Sequence, residues 1–148
     1  MKRFVFSLES LLQKHAWESD VFRMEKSNAT RAVDAKRHEL KIIETRIVEF
    51  QQEISRTAQE DAELNLARRQ VIELYLRHQQ TVAIEAQKAL KQAQGVEEQI
   101  TELLTTSLQQ LKTLEKLKSN AKQEHHHQQL RAEQIEADDH WLARFNLS

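Results

Sequence analysis

Val33-Asp34-Ala35-Lys36-Arg37-His38-Glu39-Leu40-Lys41-Ile42-Ile43-Glu44-Thr45-Arg46-Ile47-Val48-Glu49-Phe50 decides the fold. Apolar residues recur at Val33, Leu40, Ile43, Ile47 and Phe50, in steps of three and four, which is the repeat of a helix that buries one narrow stripe along its length. Upstream the same steps reach Leu8, Leu12, Phe22 and Ala29, and downstream they reach Ile54 and Leu64. The stripe carries polar residues at His15, Ser19, Lys26, Lys36, Thr57 and Asp61.

A second stripe follows in the same alternation: Ile72, Leu76, Ala83, Ala86, Leu90, Ala93, Ile100, Leu104, Leu111, Leu114, Ala121, Ala132, Ile135 and Leu142. The step from Leu64 to Ile72 breaks the phase, beside the polar run Thr57-Ala58-Gln59-Glu60-Asp61-Ala62-Glu63. Each stripe needs a partner, and the other half of the chain supplies one at high effective concentration. The expected architecture is all-α: one elongated domain over 1–148, a long antiparallel two-helix coiled coil with its hairpin apex at about 57–67 and a C-terminal helical overhang. The competing arrangement is a single continuous helix in an intermolecular coiled coil.

Composition agrees with rods. The 148 residues include no proline, no cysteine and one glycine, so strand-ending turns and thiolate or disulfide chemistry are excluded. Two helices of about 60 residues would each run about 90 Å at the helical rise. With the apex near 62, residue 8 lies opposite about residue 116, and the stretch 118–142, with its sparse stripe and polar run 122–129, is either frayed or awaiting a partner. Gly95 reads as a soft spot in the second helix, or as a hinge. His15 and Lys26 on core steps lower stability while penalising wrong registers, or mark fraying near the end of the rod.

Charge points to protein partners. The 22 Lys and Arg against 23 Asp and Glu give a formal net charge of −1, with no global drive toward nucleic acid or anionic lipid. Arg68-Arg69 and the Lys112–Lys118 cluster are interspersed with Glu and read as solvated faces flanking the seam. No apolar run approaches the ~20 residues that span a bilayer, and the opening residues lack a run of signal-peptide length. A soluble cytoplasmic protein without direct membrane insertion is expected.

Catalytic signals are missing. One glycine cannot build a phosphate-cradling loop. His125, His126 and His127 point about 100° apart on a helix and do not converge on one metal ion. Asp138, Asp139 and His140 lack the concave, water-excluding site that acid-base work needs. No enzyme activity, cofactor or metal is expected.

Apolar residues off the stripes are the remaining signal. Leu11, Val21, Ile42 and Val48 sit beside the first, and Leu74, Tyr75, Leu103, Leu108 and Leu117 beside the second. A two-helix rod needs only a narrow seam, so either a further packing surface exists or the seam is loose enough to bury both sets. The regions 42–50 and 71–78 are the first place to look for a partner. Aromatic residues gather at the chain ends, Phe4 and Phe6 at one and Trp141 and Phe145 at the other, as interface anchors or as end caps.

The opening Met1-Lys2-Arg3-Phe4-Val5-Phe6-Ser7-Leu8-Glu9-Ser10-Leu11-Leu12 resembles the start of the FliJ family of flagellar export proteins. Leu114-Glu115-Lys116-Leu117-Lys118, the polar helix after it and the ending Trp141-Leu142-Ala143-Arg144-Phe145 are similar to that family's last helix. The resemblance implies a coiled-coil stalk of a type III export apparatus, cytoplasmic and peripheral at the inner membrane. It would couple a hexameric export ATPase to the cytoplasmic domain of the export-gate membrane protein, with export chaperones as further candidate partners. On this resemblance Phe4, Phe6, Leu8, Leu12, Trp141 and Phe145 form the ATPase end, and Leu40, Ile43, Ile47, Phe50, Tyr75 and His78 form the gate face. The alternatives are an injectisome-type stalk of a virulence secretion system, a homodimeric structural coiled coil with no ATPase partner, and an adaptor that binds amphipathic segments.

Overall fold

A computed structural model describes residues 2–58 and 65–147. Two helices account for nearly all of them: α1, Glu9–Thr57, and α2, Asn65–Leu147. Among the described residues there is no strand. The helices pack against each other as an antiparallel hairpin, and α2 runs on past the start of α1. The apex expected at 57–67 falls largely on 59–64, outside the described residues.

Elementary helix physics accounts for these elements. No proline interrupts 49 residues of α1 or 83 of α2, and neither helix contains a residue with positive φ. Glu9 in the first turn and Arg56 in the last turn of α1 complement its dipole, and Arg144 does so at the end of α2. Gly95 does not break α2, which is helical on both sides of it.

Contacts divide the chain into two compact units, residues 1–21 with 103–148 and residues 22–102. In the first unit the seam is formed by Leu12, His15, Ala16 and Ser19 of α1 facing Leu104, Ser107, Leu111, Leu114 and Lys118 of α2, and past the start of α1 it continues through Ala121, His125 and Gln129 alongside residues 2–8. Its most buried level is polar: Ser19 and Ser107 are 2% and 3% exposed, and their hydroxyls lie 3.0 Å apart. Leu104 and Leu114 are the buried apolar residues on either side. Lys118 reaches across to Glu9 at 2.8 Å.

The second unit repeats the scheme. Phe22, Lys26, Ala29, Val33, Lys36, Leu40, Ile43, Ile47, Phe50 and Ile54 carry the α1 side, as the three-four steps require. Ile72, Leu76, Gln79, Ala83, Ala86, Leu90, Ala93, Glu97 and Ile100 answer on α2. Val33, at 4% exposure, is the most buried of them. Lys26 and Lys36 keep their seam positions because a lysine lays its methylenes along apolar surface while its ammonium stays in water, and Lys36 places that ammonium 3.6 Å from Glu39.

Ala132, Ile135 and Leu142, the last steps of the second stripe, are exposed, as the expected C-terminal overhang requires, and the packed seam ends at Gln129. Past that point the steps land on Glu136 and Asp139, which are exposed. Glu9 meets Lys118 and Ser19 meets Ser107, within two or three residues of the pairing that an apex near 62 requires.

Candidate protein-binding surfaces

The residues singled out at the chain ends occupy two separate places in the first unit. Phe4 and Phe6 lie in a non-helical arm that runs alongside α2. The Lys2 carbonyl accepts hydrogen bonds from Gln129 Nε2 at 3.1 Å and from His125 Nε2 at 3.2 Å. The Phe4 ring packs on the His125 ring with centroids 5.5 Å apart, and the Phe6 carbonyl accepts from the Glu9 N–H at the mouth of α1. Phe4 and Phe6 are half-buried, Leu12 is on the seam, and Leu8 is only just exposed at 38%. Phe4 and Leu12 are therefore committed to the protein's own α2.

Trp141 and Phe145 differ. They are 63% and 66% exposed and stack on each other, with centroids 5.4 Å apart and planes 16° from parallel. Trp141 is twelve residues past Gln129, about 18 Å along the helix at 1.5 Å per residue, so the fold does not join the two aromatic clusters. Every described side chain from 131 to 146 is exposed. Between the clusters lies an open hollow of about 400 Å³ walled by Lys2, His125, Gln129, Glu133 and Glu136.

In the second unit Leu40, Ile43, Ile47 and Phe50 are half-buried on the seam. Phe50 meets Tyr75 edge to face at 4.6 Å, while Tyr75 remains 42% exposed and His78 is exposed. The outward apolar residues nearby are Ile42 and Val48 on α1 and Leu66, Val71 and Leu74 on α2. Of these, Leu66 was not singled out in sequence, although its position off the seam steps marks it. A shallow groove on the outer face of α1 is lined by His38, Lys41, Ile42, Thr45, Arg46 and Glu49. The widened apolar face is thus solvent-exposed at Ile42, Val48, Leu74, Leu103 and Leu117, whereas Val21 and Leu108 are half-buried.

His125 is tied to the arm, and the His126 and His127 rings stand 6.4 Å apart and tilted. Among the described residues no group of three or more His, Asp or Glu side chains is placed to hold a metal ion, and no helix is long and apolar enough to cross a membrane. What the arrangement offers chemically is apolar and aromatic surface bordered by charge, suited to protein recognition. No protein-family model, no curated protein and no solved structure matches this chain.

Proposed function

We propose that the chain is a non-enzymatic coiled-coil stalk of a flagellar type III export apparatus, of the FliJ kind, acting in the cytoplasm at the inner membrane. In this reading the open end of the hairpin engages a hexameric export ATPase, and the region of Tyr75 and His78 touches the cytoplasmic domain of the export gate. The observation that carries the proposal is the exposed Trp141–Phe145 stack on a helix extending past its own partner. A helix that leaves two large aromatics in water has apolar surface to bury against another protein.

In this reading the residues divide by exposure. Trp141 and Phe145, stacked and largely exposed, would anchor a second protein, whereas Phe4 would act by holding the arm to α2. Leu40, Ile43, Ile47 and Phe50 would support the gate face from the seam side, with Tyr75 and His78 making the contact.

The test is direct binding of the purified chain to a hexameric export ATPase and, separately, to the gate's cytoplasmic domain. Association with the ATPase that falls at least about tenfold on Trp141→Ala plus Phe145→Ala, with helicity unchanged, is the expected result. No binding to either protein overturns the reading.

A further inference from the structure

The outer face of α2 carries two apolar stripes, one in each unit. In the second unit Ala67, Val71, Leu74 and His78 follow one another in steps of four, three and four, on the side turned away from the seam residues Ile72, Leu76 and Gln79. In the first unit Leu130, Gln134, Ala137 and Trp141 repeat the same steps, again away from the seam. All eight are exposed. Residues 67 and 130 differ by a whole number of heptads, so the two stripes share one phase of the seven-residue repeat.

We propose that the stripe at 130–141 of one molecule packs antiparallel on the stripe at 67–78 of a second copy of this chain. In an antiparallel coiled coil the core pairs have position numbers that sum to a constant. One register, with sum 208, sets Trp141 over Ala67, Ala137 over Val71, Gln134 over Leu74 and Leu130 over His78. The largest side chain meets the smallest, as interdigitating packing requires.

The flanking positions choose the same register independently. Residues on one flank then pair Glu133 with Arg77 of the second copy, and those on the other pair Asp138 with Arg68 and Arg131 with the Tyr75 ring. Two contacts join opposite charges and the third sets a guanidinium at an aromatic face, and none joins like charges. Arg68 is 61% exposed beside Glu53 at 3.5 Å and can turn to a second carboxylate. The complementarity follows from composition: 130–146 holds four acidic and two basic residues, whereas 66–78 holds three arginines and one glutamate.

Each molecule carries both halves of the contact, and the proposed product is the pair in which each copy uses each half once, a two-fold, isologous dimer. One stripe of about three helical turns is small against the roughly 1,200 Å² at the low end of stable interfaces, and such a pair has two. Trp141 is covered in this dimer, so any other protein that uses Trp141 competes with the second copy. The proposal does not rest on the export reading.

Sedimentation equilibrium of the full chain from micromolar to submillimolar concentration tests it. The expected result is a reversible monomer–dimer equilibrium whose dissociation constant rises at least about tenfold in Trp141→Ala. Glu133→Arg alone should weaken the dimer and Glu133→Arg with Arg77→Glu should restore it. These side chains are exposed, so circular dichroism should show unchanged helicity in each variant. A chain that stays monomeric throughout, a dimer indifferent to Trp141→Ala, or a charge swap that fails to restore association each overturns the proposal.

Discussion

Ser19 and Ser107, one on each helix, place their hydroxyls 3.0 Å apart, and both reach the carbonyl of His15, at 2.7 Å from Ser19 and 3.3 Å from Ser107. This three-oxygen contact is the most buried level of its unit. Small side chains let the helices approach, and the hydroxyls meet only when the helices pair at this level, so a slip by one heptad in either direction would set the Ser19 hydroxyl against Ile100 or Leu114.

Removing one hydroxyl breaks the Ser19–Ser107 contact and leaves the other with the His15 carbonyl alone. Ser19→Ala or Ser107→Ala is expected to cost about 1 kcal/mol each, and the double variant clearly less than their sum, because replacing both partners removes the desolvation penalty as well. Urea unfolding of the four proteins measures this, and strict additivity would show that the two groups do not interact.

Leu114 and Leu117 are three residues apart on α2, yet one is 7% and the other 46% exposed. Leu114→Ala should cost about 2–4 kcal/mol through lost burial and the cavity it leaves, whereas Leu117→Ala should cost less than about 1 kcal/mol as a surface change. Equal losses in thermal unfolding would mean that Leu117 is buried in solution, by a second copy or by a closer seam.

At Gly95 an added Cβ would meet nothing within 4 Å. Gly95→Ala should therefore stabilise the chain by about 0.8–1 kcal/mol, since it removes backbone freedom from the unfolded state with no steric cost. Thermal unfolding measures this, and an unchanged or lower midpoint would overturn it.

The arm is held by Phe4 on His125 and by two hydrogen bonds to the Lys2 carbonyl. Phe4→Ala plus Phe6→Ala should free it while leaving both helices intact. Trypsin should then cut after Lys2 and Arg3 several-fold faster, with an unchanged circular dichroism spectrum. An unchanged cleavage rate would show that the arm is already released in solution.

Much of this protein was legible in one dimension. The three-four spacing that begins with Val33, Leu40 and Ile43 determined the helical class, the identity of the seam residues on α1 and the places where polar side chains enter it, because a helix repeats its geometry every few residues whatever surrounds it. The absence of proline determined that nothing would interrupt these helices. The tertiary structure decided what depends on level. Which α2 residue faces Ser19, where the seam stops at Gln129, that Phe4 folds back on His125, and that Ile135 and Trp141 stay in water all depend on how far α2 is offset along α1. Local spacing carries no information about that offset, which is set by the pairing of residues some ninety to one hundred and twenty positions apart.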